Sequence, residues 1–496
     1  MRYLAGYGSG VAFGVHINNS LNMARGIVER VFYVVRDGRL TLPPRPAKGA
    51  FSRLSGVRQR LIRRTYPTPV VAQDDYPALY TGRKRAVYER ARDSLTTRPV
   101  HPRDAWVSTF VKAEKINLDK KPDPAPRVIQ PSSPRYNLAL GCYLKPFEKE
   151  MCRAFAREFG YDVIVKGFNA DKVGDIIATH WGSFNDPVAV GLDASRFDQH
   201  VSIDALRFEH GYYNAVFRSP ELKRLLGWQL RPVGIGRTTD GKVIRYETEG
   251  CRISGVINTG MGNCFIMSCC VLAYFDHAGL TARLVNNGDD CVVICERSDL
   301  RRLDNIDQWF LELGFTLTRE PVVDVLEKVE FCQCQPVHLA TGWRMVRNPF
   351  TAMSKDCVAL VSWDTPVAFG YWAQAISSCG LSLTSGVPVW EAWYTGLSRL
   401  AGAASEGVGE LVRDSGLGYM ARGVAECVVD DRARVSFWRA FGITPDQQVA
   451  LEHEYLEPMS LADPTPMTAS PNATALDIQN NPIALWRATH AARARP

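Results

Sequence analysis

The sequence predicts an α+β fold in which helices flank an antiparallel sheet, and three segments carry that expectation. PVAVGLDAS (187–195) is a short apolar run ending in an acid, the pattern of a buried strand that delivers Asp193 at its C-terminal end. TARLVNNGDDCVVIC (281–295) is two β-prone runs around Asn287 and Gly288. Asn-Gly between apolar runs is a strong hairpin signal, because both residues tolerate positive φ, and the tight turn thrusts Asp289 and Asp290 out at one edge of the sheet. SGVINTGMGNCFIMSCCVLAYF (254–275) reads as a glycine-rich loop running into a buried helix.

The rest of the chain arranges itself around these. Residues 1–50 read as an extended N-terminal arm, with early glycines, an apolar stretch Val31–Val35 and the Pro-rich TLPPRPAKGAF. Residues 51–185 are basic and mixed, and 186–335 hold the sharpest motifs. Within the latter, FDQHVSIDALRFEHGYYNAVF has helical spacing, with Phe197, Val201, Leu206 and Phe208 as core contacts. Residues 336–457 are helical and aromatic-rich, and 458–496, rich in Pro, Ala, Thr and Asn, form a flexible tail. No internal repeat is visible.

Composition narrows the function classes. With 46% hydrophobic residues and tryptophans from Trp106 to Trp486, the chain carries enough apolar material for a large core and too much for disorder. The net charge of +7 is unevenly spread. Arg58, Arg60, Arg63, Arg64, Arg83, Lys84 and Arg85 crowd the first hundred residues, and Lys112, Lys115, Lys120, Lys121 and Arg127 follow, a run suited to a polyanion. The 13 cysteines include no CxxC pair, and neither Cys269/Cys270 nor Cys332/Cys334 has zinc-ligand spacing, so a reducing interior is the simplest home. The greasy stretch Cys264–Phe275 is too short to span a bilayer, and no signal peptide is recognisable. Asn18 and Asn472 begin sequons that read as chance, and no GxxxxGK[ST] or HExxH supports a helicase or zinc protease.

The acids suggest two-metal chemistry. Paired Mg²⁺ ions about 3.5–4 Å apart can activate a 3′-hydroxyl and stabilise a leaving pyrophosphate. Mg²⁺ needs only a few carboxylates, water and phosphate oxygens completing its shell. A strand-end Asp193 and the hairpin pair Asp289 and Asp290 supply that set. A GDD alone arises by chance in about one chain of this length in ten, so it is weak by itself. It has company: Asp198 follows Asp193 by five residues, Ser254 lies in the loop, and Thr259 and Asn263 are one helical turn apart. A carboxylate, a hydroxyl and an amide around one pocket can pair a ribose 2′-hydroxyl and penalise a sugar lacking it. The Pro-interrupted stretch KAEKINLDKKPDPAPRVIQPSSPRYN adds Lys112, Lys115 and Arg127. Arg127 is placed to grip a triphosphate, and the lysines to line the path by which nucleotides arrive.

With these residues in hand, the chain resembles the RNA-dependent RNA polymerases of positive-strand RNA viruses, in particular the tombusvirus and carmovirus type (family Tombusviridae). GLDASRFDQHVSIDALRFEH is similar to that family's motif A, SGVINTGMGN to motif B and NNGDDCVVI to motif C. LEKVEFCQCQPV is similar to motif E, and KAEKIN with PAPRVIQPSSPRYN to motif F. GIVERVFYV, PPRPAKGAF, YLKPFEKEM and GWRMVRNP extend the likeness across roughly residues 15–350. The resemblance implies a closed right hand with an antiparallel palm sheet. Residues 1–50 would be a fingertip connection, and 51–185 fingers containing a basic nucleotide-access loop at 110–136. Residues 186–335 would be a palm with a fingers insertion near 206–250, and 336–457 a thumb.

It also implies that Asp193 and Asp289, assisted by Asp290, hold two Mg²⁺ (Mn²⁺ can substitute). Asp198 and Asn263 would read the 2′-hydroxyl, Ser254 and Thr259 support that network and the template, and Arg127 meet the triphosphate. Cys332 and Gln333 would sit at the 3′ end of the growing strand. The implied partners are an RNA template, nascent RNA, NTPs and other viral replication proteins, in host cytoplasm at membrane-associated complexes. Relatives usually carry a membrane-anchoring region upstream, so the chain is expected to be the downstream part of a longer product.

The chain departs from the family pattern in places. Ser132 stands where relatives often have Arg, and Val256 and Ile257 where Asp and Met are common. The motif D lysine expected as general acid has no clear counterpart: Arg319 and Lys328 are the nearest cations, and arginine, always charged, is a poor proton donor. A reverse transcriptase shares the two-metal palm but tends to exclude the 2′-hydroxyl with bulk, against Asp198 and Asn263. A non-catalytic RNA-binding protein would need only the basic third, and a nucleotide-sugar transferase gives no reason for Ser254, Thr259 and Asn263.

Overall fold

The acid-tipped run is a strand because its alternate residues bury on opposite sides. In a computed structural model describing residues 2–457 apart from 5–6, 9, 361–364 and 402–419, Pro187–Ala194 (β1) sits inside a four-stranded sheet. The tail expected at 458–496 lies outside the described residues. The other strands are Ala282–Asn287 (β2), Asp290–Glu296 (β3) and Leu317–Arg319 (β4), in the order β2-β3-β1-β4, every neighbouring pair antiparallel. Val188, Val190 and Leu192 join the largest core with Val293 and Leu284, whereas Ala189, Val292, Ile294 and Val285 join a second core on the opposite face. A sheet buried on both faces tolerates no register slip, since a shift of one residue would exchange those two sets.

The hairpin differs by one residue from the sequence expectation. Asn287 ends β2 opposite Asp290, and the two-residue turn is Gly288–Asp289, not Asn287–Gly288. Only Gly288, at φ +86°, takes the left-handed region there. A glycine in the first loop position is what a type II′ turn requires, and its twist matches the flanking strands. The Asn286 amide donates to the Gly288 carbonyl at 2.8 Å and holds the turn from within.

Several helices contribute to the main core, three of them long. Pro134–Phe159 (α1) starts with a Ser133 cap and proline at N1, and ends at Gly160, φ +77°. Ile203–Phe217 (α2) is capped by Ser202, whose hydroxyl accepts from the Ala205 amide. That cap breaks the single helix expected over 197–217: Phe197–His200 forms a separate short turn, and Val201 is extended between the two. Phe197, Val201, Leu206 and Phe208 are all buried as expected. Thr259–Ala278 (α3) has every residue from Met261 to Phe275 buried, the mark of a helix that is apolar all round.

Strands Val233–Arg237 and Val243–Glu247, from the expected insertion near 206–250, join Val107–Val111 and Val128–Ile129 of the basic segment in a second sheet. The N-terminal arm is not merely extended. It contains the helix Ser20–Ile27 and a hairpin, and its start pairs with Val358–Ala359. The Tyr7 hydroxyl donates to the Trp393 carbonyl at 2.7 Å, and the Trp393 indole returns a bond to the Tyr7 carbonyl at 3.0 Å. The expected helical region opens instead with a hairpin, Cys334–Leu339 with Gly342–Arg347, before helices built around Trp390, Trp393 and Tyr394. All 13 cysteines are free thiols, and no helix among the described residues is long and apolar enough to cross a membrane.

The helix Ala170–Trp181 rides directly on that hairpin. A Cβ at Gly174 would lie 2.5 Å from the Trp343 carbonyl oxygen and 2.9 Å from the Arg344 nitrogen, backbone atoms that cannot step aside. Gly174→Ala is therefore expected to destabilise the chain by about 1–3 kcal/mol in urea unfolding. A variant as stable as its parent would show the contact to be loose.

Candidate active site

The register of β1 against β3 builds the acidic centre. Asp193 stands directly opposite Asp290, and Asp289 occupies the adjoining turn. Opposed residues of an antiparallel pair share one face, with Cα atoms about 4.5–5.5 Å apart. All three side chains reach solvent where the apolar cover of the sheet ends. The protein mass around Asp289 still penalises its charge, and Asp193 adds repulsion, so its pKa is raised. Burial followed by the Asp289 charge raises that of Asp290. A set of hard oxygen ligands that repel one another fits Mg²⁺. Among the described residues no three His, Cys, Asp or Glu side chains close around one point. The carboxylates form an open face, suited to an ion that keeps water and phosphate oxygens in its shell.

Beside this face lies a polar chain leading into the core. The Asn263 amide donates to Asp198 Oδ1 at 2.7 Å, and Arg252 Nε donates to Asn263 Oδ1 at 2.9 Å. Arg252 then pairs with Glu209 at 2.5 Å, both side chains almost wholly buried. Glu209 also accepts from the Tyr213 hydroxyl at 2.8 Å and the Asn258 amide at 3.1 Å. With its carbonyl committed to Arg252, Asn263 can only present its NH₂ to Asp198, which fixes the amide's orientation. Burial raises the Asp198 pKa, while the Asn263 bond and Arg252 oppose the rise.

The other motif residues divide. Ser254 Oγ accepts from the Gln130 backbone N–H at 3.1 Å, and the Thr259 hydroxyl donates to the Ile253 carbonyl at 2.5 Å, so both hydroxyls hold the glycine-rich loop. That loop is stapled to the basic segment, since a Cβ at Gly255 would fall 2.4 Å from Pro131 Cα. Lys112 and Arg127 share Glu114, at 2.8 and 3.1 Å. The Arg127 side chain is exposed, and its charge lowers the pKa of Asp289 and Asp198. Lys115 turns elsewhere: its Nζ donates to the Lys355 carbonyl at 2.7 Å, and burial lowers its pKa. Cys332 and Gln333 form a strained turn, φ +51° and +61°, against the hairpin, where the Asn287 amide reaches Cys332 Sγ at 3.6 Å. Arg319 is tied to Asp307, and Lys328 donates to the Ala440 carbonyl at 3.0 Å, so neither candidate cation of motif D is free.

A family model described as viral RNA dependent RNA polymerase matches residues 1–461. The chain belongs to that family. Among its relatives are the RNA-directed RNA polymerases of Turnip crinkle virus, 44% identical over 93% of this chain, and of Tobacco necrosis virus (strain A), 43% identical over 92%. That of Carnation mottle virus is 41% identical over 90%. The chain spans 60%, 63% and 59% of those relatives' own lengths.

Four residues of this family member escaped the sequence reading. Glu209 and Arg252 left one faint signal, charges set among apolar neighbours in RFEHGYY and GCRISG. Glu320 packs its carboxylate over Gly191, where a Cβ would meet Oε2 at 2.0 Å. Its pKa is raised by burial and then by Glu330, Asp193 and Asp290, so both glutamates add negative field to the face. No spacing rule links them to Asp193.

Replacing Glu209 by Gln would strand the buried Arg252 charge, and a loss of about 3–5 kcal/mol in urea unfolding is expected. A carboxylate whose pKa is higher folded than unfolded makes the fold less stable as pH rises through that interval. Metal-free Asp289→Asn should therefore melt slightly above its parent at neutral pH, with the gap closing as pH falls to the ordinary carboxylate value. Mg²⁺ should raise the parent's midpoint more than the variant's, and equal responses in calorimetry would count against a metal role.

Proposed function

We propose that the chain is the catalytic part of an RNA-directed RNA polymerase of a positive-strand RNA virus. It would add NTPs to the 3′-hydroxyl of a growing RNA on an RNA template. The observation that carries this is the Asp193–Asp290 register with Asp289 on the adjoining turn, in a chain of the viral RNA-dependent RNA polymerase family. Bound there, a pair of Mg²⁺ (or Mn²⁺) would supply Lewis-acid activation of the attacking hydroxyl and charge stabilisation of the leaving pyrophosphate. Asp193 and Asp289, with Asp290 beside them, would hold and space that pair.

The remaining residues would position and select. Asp198, steadied by Asn263, accepts a hydrogen bond from a ribose 2′-hydroxyl, and Arg127 with Lys112 receives the triphosphate. Ser254 and Thr259 set the loop against which the template nucleotide lies, and the Cys332–Gln333 turn supports the 3′ end. In this reading 51–185 are fingers, 186–335 palm and 336–457 thumb of a closed right hand, with the arm 1–50 bridging its ends. The bonds from Tyr7 to Trp393 and from Lys115 to Lys355 support that closure. Work at membrane-associated complexes in host cytoplasm, with other viral replication proteins, completes the proposal.

Primer extension on a defined RNA with Mg²⁺ tests it. Asp289→Asn combined with Asp290→Asn is expected to lower extension by more than about 10²-fold, with RNA affinity largely kept. Unchanged synthesis would overturn the assignment. Asp198→Ala should cut the preference for NTP over dNTP by about ten-fold or more. A parent enzyme that prefers dNTPs would point to reverse transcription instead.

A further inference from the structure

The two-residue hairpin leaves one of its own donors unserved. Asn287 and Asp290 close the ladder between β2 and β3, and the bonds across such a closing pair use the backbone groups of those two residues. The N–H of Gly288, first residue of the turn, therefore has no partner within the hairpin. It donates instead to Cys264 Sγ at 3.1 Å, in the second turn of α3. The Gly288 carbonyl is held from the strand side by the Asn286 amide. Both backbone groups of the glycine before Asp289 are thus committed, and the bond to Cys264 is the one that reaches another element.

The place of that cysteine in α3 matters. Asn263, the residue before it, steadies Asp198 at 2.7 Å. Consecutive residues of one buried helix therefore address the ribose-facing acid and the metal-facing turn. Asn287, beside Gly288, leans on a second thiol, its amide reaching Cys332 Sγ at 3.6 Å. A thiol suits this neighbourhood because it accepts a hydrogen bond without bringing a charge. Burial pushes the Cys264 thiol up to about 12, so it stays neutral where a carboxylate would add to the repulsion among Asp193, Asp289 and Asp290. Cys264 is wholly buried in the main core together with Leu284 of β2, so packing fixes the position of its sulfur.

We infer that Cys264 is a positioning residue for the metal-binding turn: by tying the Gly288 N–H to the core helix, it sets where Asp289 stands relative to Asp193. This rests on the polymerase reading and adds to it the residue through which α3 holds the acids. Cys264 acts through Gly288. Without the sulfur, the turn keeps its ladder but loses its one tie to the helix, and the acid at its tip is free to shift.

The test uses the full chain. Cys264→Val removes the acceptor at similar size, and Cys264→Ser restores one. Backbone amide exchange of the metal-free protein, read by mass spectrometry, is expected to be about ten-fold faster at residues 288–290 in Cys264→Val, with α3 unchanged. In primer extension the Mg²⁺ concentration for half-maximal rate should rise by about ten-fold, with the preference for NTP over dNTP kept. Cys264→Ser should recover part of both. If Cys264→Val melts early, Cys264→Ala against Cys264→Ser carries the comparison. A folded Cys264→Val that keeps the parent's Mg²⁺ requirement would overturn the inference, whatever its exchange. So would a loss of sugar preference alongside the Mg²⁺ effect, the mark of a general distortion of α3. A parent that extends no primer, while Cys264→Val still loosens Gly288, would overturn the polymerase reading and leave the tie standing.

Discussion

The pairing of β1 with β3 is the constraint on which the site depends. Each backbone bond in that ladder fixes which residue of one strand faces which residue of the other, and the two buried faces forbid any slip. Because Val190 must meet Val293 in one core and Ala189 must meet Ile294 in the other, Asp193 has no choice but to face Asp290. The type II′ turn then adds Asp289 at no cost in extra chain. Three carboxylates that repel one another are held together by apolar packing a few residues away, so stability is spent where the acids need proximity.

A second constraint runs through the buried Arg252–Glu209 pair. Two charges removed from water are costly, and this pair is eased because Tyr213 and Asn258 donate to Glu209 while Asn263 accepts from Arg252. The benefit is orientational. Asn263 cannot flip without breaking the Arg252 bond, so the amide that steadies Asp198 is set from inside the core. The glycine-rich loop is fixed from its other side, through Gly255 on Pro131 and Ser254 on Gln130, which ties the basic segment to the start of α3.

Much of this was legible in the chain because it is encoded locally. An apolar run of strand length ending in Asp193 suggests a buried strand with an exposed tip. The glycine of NNGDD marked a turn within one residue of its true place, the error arising because either Asn-Gly or Gly-Asp can supply a two-residue loop and only the partner strand chooses between them. The break at Ser202 was also written locally, in a cap residue followed by Ile and Asp, but helical spacing on both sides masked it. The direction of Lys115 was hidden for a different reason: a lysine in a basic stretch carries no mark of which way it points, and here its Nζ donates to the Lys355 carbonyl.

What the sequence determined by itself, then, was the set of parts: an α+β chain, its strand-end and hairpin acids, the glycine-rich loop before an apolar helix, and a basic segment. Periodicity, turn chemistry and residue type act over a few positions and survive in one dimension. Only the tertiary structure decided that Glu209 meets Arg252, that Glu320 overlies Gly191, and that Arg30 of the arm reaches the Ala125 carbonyl of the basic segment. Those pairings join residues far apart in the chain. They are settled by how the cores pack and by where charge must be neutralised once water has been excluded, and no local pattern records either.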